Sequence, residues 1–262
     1  RLWDIQTQKQ SAVIEHTAPI FDIAFSPDGK ALVSLNESEI IFWDIAALQK
    51  TNELDGYTAT ASYAVFSPDS KMLALGDYSN TIHIWSIQDQ KETTRIQGHK
   101  FGIDTLAFSP DGNILASVSG NNILLYGIRE HKQIGLLKGH NDEVRSIAFS
   151  PDSKMLASGS LDMTVRIWDV EKLKEMKTIK CLSHTHSVAF SPDGEIFASS
   201  VGGELTIHLW DAKTQREIGI LQAGSIILPI AFSPDGKTLA SGDTNGLIIL
   251  WDFKTQKRIG EL

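Results

Sequence analysis

The sequence predicts an all-β repeat protein, a propeller or a solenoid, on three observations. A Phe-Ser-Pro-Asp turn recurs six times, at Phe25, Phe66, Phe108, Phe149, Phe190 and Phe232, with spacings of 41 or 42 residues. An aromatic residue closes an apolar, strand-like run seven times, at Trp3, Trp43, Trp85, Tyr126, Trp168, Trp210 and Trp251. No amphipathic helical pattern of any length accompanies them. A period of about 40–45 residues belongs to arrays whose units bury their apolar faces only against neighbours. A β-sandwich has no reason to repeat one motif at constant spacing.

Each element follows from local chemistry. Strand a is the apolar run before the turn, as in Ile23-Ala24-Phe25 and Ile147-Ala148-Phe149. In the turn, proline presets φ, aspartate suits the next position, and glycine or serine completes the bend. Strand b follows, as in Ala31–Val33, Met155–Ala157 and Thr238–Ala240. Two apolar runs joined by so tight a turn make a hairpin. Strand c ends in the aromatic, and Val165 to Trp168 shows its period-two alternation. A polar turn leads to strand d, as in Lys132–Leu137, Glu217–Leu221 and Arg258–Leu262. Six complete units result, at about 17–54, 55–97, 98–137, 138–180, 181–222 and 223–262, preceded by a c–d pair in 1–16. They are read as one repeat domain over 1–262. Because Arg1 is not a methionine and sits inside a repeat, the chain is expected to be part of a longer one.

Composition removes several functional classes. A hydrophobic fraction of 42% is enough for a sizeable core and excludes a disordered chain. A formal charge of -8 leaves no basic footprint for general nucleic-acid binding. One cysteine, Cys181, allows no internal disulfide framework and no zinc site built on paired cysteines. That fits a reducing compartment, and a cytoplasmic location is expected. No apolar run approaches transmembrane length, so no membrane role is expected.

At this point the residues resemble the WD-repeat family. The Trp-Asp pairs at Trp43-Asp44, Trp168-Asp169, Trp210-Asp211 and Trp251-Asp252 carry the resemblance, with Gly98-His99, Gly139-His140 and the strand pattern. The wording of Phe232 to Asp243 looks most like bacterial members, which are often attached to effector domains. The resemblance implies a β-propeller of four-stranded antiparallel blades around a central channel. Six complete blades and one c–d half blade would form most of a seven-bladed ring, with residues beyond Leu262 supplying the missing a and b strands. A stretch of a longer array is the alternative. The family also implies a hydrogen-bonded tetrad in each blade, which the fourth repeat matches fully with His140, Ser158, Asp162 and Trp168. The other repeats depart from it. Blade one has His16, Ser34 and Trp43 with Glu37 or Ser38 in a shortened turn, and blade three has His99, Ser117 and Tyr126 with Asn121 nearby. Blade two carries Tyr57, Leu75 and Ser79, blade five Cys181, and blade six Ala223 and Asn245. Blade four is therefore expected to be the most rigid.

Catalytic chemistry is weakly represented. There is no Gly-x-Ser-x-Gly elbow and no phosphate-loop pattern. Cys181 near His184 and His186 suggests a Cys/His pair, but a buried substitute for the tetrad histidine is the simpler reading. His184 and His186, two apart on a strand, would share a face and begin a metal site, yet no third ligand is close in sequence. No catalytic residue, metal or cofactor is assigned.

What the resemblance does imply is a platform for other proteins or peptides, including an effector domain in the same polypeptide; from charge and apolar run length, neither nucleic acid nor membrane is expected as a partner. Its contact face carries the d–a and b–c connections. The family's contact positions fall here on Phe21, Tyr78, Asp104, Glu143, Arg145, Leu161, His184, His186, Ile226 and Leu228. Pro19, Asn36, Thr60, Ser62, Gly102, Gly120, Gly202 and Thr244 occupy the remaining ones. Phe21, Ile226 and Leu228 have an alternative role as inward-facing core. A propeller enzyme or a channel-bound small ligand is the alternative function.

Overall fold

The computed structural model describes all residues except Thr17, Ser38 and 55–60, and omits the side chains of Asn52 and Glu53. The expectations placed on Tyr57, Thr60 and Ser38 therefore lie outside the described residues. The described chain forms six four-stranded antiparallel sheets, each in the order a-b-c-d, and one two-stranded sheet of Leu2–Asp4 with Lys9–Ala12. These are propeller blades. Blade one spans 22–53, blade two 61–96, blade three 105–137, blade four 144–180, blade five 185–222 and blade six 227–261. The one helical element among the described residues is a 3-10 turn at Gly202–Glu204, formed by the extra residues of repeat five.

The chain divides into two compact units. The first holds Ala12–Gly135, and the second holds Arg1–Ser11 with Leu136–Leu262. In the first unit, Val33, Leu35 and Phe42 of blade one pack against Ala64, Phe66, Leu73 and Trp85 of blade two. Ile82 and Ile84 of blade two meet Ile103, Leu106 and Phe108. In the second unit, Val165 and Ile167 of blade four pack on Val188, Phe197 and Trp210 of blade five. Leu209 and Leu221 then meet Ile230, Leu239 and Trp251 of blade six. Within each unit, a blade thus buries one face on the next, as a repeat array must.

The serine of each Phe-Ser-Pro-Asp turn does more than fill a turn position. In blade four, the Ser150 hydroxyl donates to Asp152 Oδ1 at 2.6 Å and accepts from the Met155 amide at 2.9 Å. Asp152 Oδ1 also accepts from the Lys154 amide at 3.1 Å. The same bonds recur from Ser26, Ser67, Ser109, Ser191 and Ser233. The serine therefore clamps the first residue of strand b.

Two further devices join neighbouring blades. The first lies on strand a, three residues before the turn phenylalanine. There Asp22 accepts from the Ala64 amide at 2.8 Å, Ser146 from Val188 at 3.1 Å, and Ser187 from Ile230 at 3.2 Å. The second uses a bulge on strand d. Register shifts leave Thr51, Thr93, Met176, Ile218 and Ile259 as extra residues in their strands. A bulged residue is left out of the ladder. In the second unit, Gln256 donates to Ile218 O at 3.2 Å and Gln8 donates to Ile259 O at 3.0 Å. Gly219 and Gly260 follow those bulges, and the space a Cβ would need there is taken by the two glutamine amides.

Candidate interaction surface

Four of the expected contact positions owe their direction to a second set of bulges. Where strand a pairs with strand b, the register shifts at Ser62, Arg145, His186 and across Leu228 and Pro229. A bulge re-aims a side chain. Arg145 and Leu228 are exposed, and His186 is partly exposed. Ser62 instead turns back, donating to Gly76 O and Ile103 O at 3.2 and 3.1 Å. Ile226 and Leu228 are 41% and 42% exposed on either side of fully buried Ile227, so they are surface rather than core.

The second unit gathers most of the expected residues. Arg145 pairs with Glu143 at 2.9 Å. His184 precedes its strand and donates from Nδ1 to Leu161 O at 2.6 Å. The His186 ring packs on the backbone of the Gly202 turn. His184 and His186 thus differ from the shared-face strand pair expected of them, because the bulge falls on His186. Burial, then the charges of His184 and Arg145, hold the His186 imidazole below its ordinary value. Leu182, in the same d–a connection, is 85% exposed and is held by its amide to Glu204 Oε1 at 3.1 Å. Sequence reasoning passed over Leu182, although its place beside His184 in a short loop was visible. Among the described residues no three His, Cys, Asp or Glu side chains are placed to share a metal.

In the first unit, Tyr78 and Phe21 are exposed, and Asp104 accepts from the Gly120 amide at 3.3 Å. Lys100 lies 5.3 Å from the centre of the Phe101 ring, a cation–π distance.

Beneath this surface, blade four carries the full network. Trp168 Nε1 donates to Ser158 Oγ at 2.8 Å, and Ser158 lies 2.7 Å from His140 Nε2. His140 Nδ1 lies 2.9 Å from Asp162 Oδ2. Since Ser158 already accepts from the indole, its proton goes to Nε2, and Nδ1–H donates to the carboxylate. Burial, partly offset by Asp162, keeps this imidazole below its ordinary value. For Asp162 burial works upward, but bonds from Thr164, the Asn141 amide and His140 bring it below the ordinary carboxylate value. Elsewhere the network is partial. The serine–tryptophan half persists at Ser34–Trp43, Ser199–Trp210 and Ser241–Trp251. His99 reaches Ser117 at 2.8 Å, but its Nδ1 is buried with no partner among the described residues, because the shortened turn brings no aspartate. In blade five, half-buried Cys181 receives the Thr185 hydroxyl at 3.7 Å.

Two of the three blades that lack the tetrad histidine, blades two and five, carry a substitute that the sequence reading missed, whereas blade six has Ile249 at that place. In blade two, buried His83 sits between Asp77 and Glu92 at 3.0 and 2.9 Å, and Arg95 binds Glu92. In blade five, His208 sits between Glu204 and Glu217 and stacks on Trp210 at 5.8 Å. Both histidines stand two residues before the strand-c tryptophan, with a glutamate seven after it. Arg166 and Glu175 fill the same two places in blade four.

Comparison with known proteins agrees with this geometry. A family model described as IFT122 first beta-propeller matches residues 102–262, more than half of the chain. A repeat model described as WD domain, G-beta repeat, matches 8–44 and 48–86. The chain belongs to the WD-repeat β-propeller family. Among curated proteins, the propeller is similar to Protein LST8 homolog of Drosophila pseudoobscura pseudoobscura, 28% identical over 98 residues. That match covers 34% of this chain and 31% of the relative. The Drosophila melanogaster LST8 homolog is 27% identical over 97 residues, with the same coverage. Telomerase protein component 1 of Rattus norvegicus is 29% identical over 90 residues, 34% of this chain and 3% of that protein. The matched stretch is therefore under a third of the LST8 homologs' length.

Proposed function

We propose that this propeller is a noncatalytic interaction module that binds a protein or peptide partner on the d–a and b–c loops of blades four to six. The observation that carries the reading is the set of strand-a bulges that turn Arg145, His186 and Leu228 out of their ladders. Beside them stand exposed Leu182 and Ile226. Arginine and large apolar side chains are common interface anchors, and loops on a packed scaffold suit recognition. An attached effector domain or a separate cytoplasmic protein would serve as partner. The family supports the scaffold role in general, and fold alone does not fix the face.

The test is the double variant Arg145→Glu/His186→Glu. Both side chains touch solvent, so melting temperature should hold within about 1–2 °C. Partner capture by the immobilised protein should fall at least about tenfold. Undiminished capture would remove this face from consideration.

A further inference from the structure

We propose that the junction between blades one and two is a binding site for a small neutral ligand, a single ring or branched apolar group bearing one amide or carbonyl. A cavity of about 200 Å³ lies there, walled by Ala31, Phe42, Leu54 and Ile87. Thr51, Ser86 and Gln90 give it a polar edge.

The repeats explain why the cavity falls at this junction. Ala31 opens strand b of blade one, five residues after the turn serine. The same place holds Met72, Ile114, Met155 and Ile196 in blades two to five. Met72, Met155 and Ile196 each pack against their blade's core cluster, and the alanine leaves that volume unfilled. The clasp is missing here too. Gln90 stands five residues after Trp85, as Gln8, Gln215 and Gln256 stand after Trp3, Trp210 and Trp251. All four have the same left-handed backbone, with φ of 51°, 56°, 55° and 56°. Gln8 and Gln256 spend their amides on the bulge carbonyls of Ile259 and Ile218. The glycine that admits them is Asn52 in blade one. Among the described residues, the Gln90 amide has no partner.

The lining sets the ligand's chemistry. The Thr51 hydroxyl is spent on Phe42 O, and Ser86 is spent on Asp89. Gln90 therefore offers the free polar group, a donor and an acceptor side by side. The described lining residues are all neutral, so the site meets a neutral ligand with apolar walls and the one unspent amide of Gln90. The volume suits one ring, since cavities of about 150 Å³ accept benzene.

The experiment titrates benzamide, with benzoate as its charged counterpart, followed by saturation-transfer NMR. Saturable benzamide binding is expected, with benzoate at least about tenfold weaker. Ala31→Met fills the cavity and should abolish binding with no loss of melting temperature. Gln90→Ala, at an exposed position, should weaken binding about tenfold. Absence of saturable binding to the native protein would overturn the proposal. So would equal binding by Ala31→Met, or benzoate binding as tightly as benzamide.

Discussion

At the residue scale, stability turns on which buried polar groups are satisfied. His140 joins an indole-bound serine to a carboxylate that accepts three further bonds, from the Asn141 amide and from the Thr164 amide and hydroxyl. Removing it strands Ser158 and Asp162 in the interior. His140→Ala should therefore cost about 2–4 kcal/mol by denaturant titration. His208→Ala should cost less, because Glu204 and Glu217 both reach water once the imidazole is gone. Asp22 presents the opposite case. It occupies the position that Ser146 and Ser187 hold in other blades, and burial pushes its carboxyl up to about 6 against the bond from the Ala64 amide. A raised acid binds its proton in the folded state between about pH 6 and pH 4, so folding loses stability as pH rises through that window. Asp22→Asn keeps an acceptor for Ala64 and removes the charge. It should stabilise the protein by about 1–2 kcal/mol at pH 7.5 in a melting experiment, with the advantage fading towards pH 4. His16, His99, His140 and His186 carry the reverse sign. Burial lowers all four, so their contribution is complete above the ordinary imidazole value near 6.5 and is lost as pH falls below it.

The element scale shows what a sequence can and cannot state. The strands, the hairpin turns and the blade order were legible because period-two runs and Ser-Pro-Asp chemistry are local. The serine clamp went unread, although its spacing to the first residue of strand b never varies. The bulges were not legible at all. A bulge is a relation between two strands, and no residue type within one strand announces it. That is why His184 and His186 looked like a same-face pair. The glutamine clasp combines a bulge on one blade, a glycine beside it and a turn on the next blade. It predicts a contrast that sequence alone would not. Gln256→Ala should lower stability by about 1 kcal/mol through loss of its bond to Ile218, whereas Gln90→Ala should change it by less than about 0.5 kcal/mol. Equal effects in a chemical-denaturation pair would show that the clasp adds nothing.

At the scale of the whole molecule, the repeated period and the Trp-Asp endings make the propeller fold readable in the sequence. The tetrad was readable only in blade four, where no member is replaced. In blades two and five, histidines on strand c take over, and their glutamate partners lie nine residues away on strand d. The interaction surface was readable as positions, but its composition depends on bulges and on the four-residue loop, 181–184, that presents Leu182. The central claim is that loops of blades four to six, rather than the Ser-Pro-Asp turns, receive a partner. Hydrogen exchange on the captured complex tests it most directly. New protection is expected in 141–146, 182–186 and 226–228, with the six Ser-Pro-Asp turns unchanged. Protection at those turns, with the three loops exchanging as in the free protein, would contradict it.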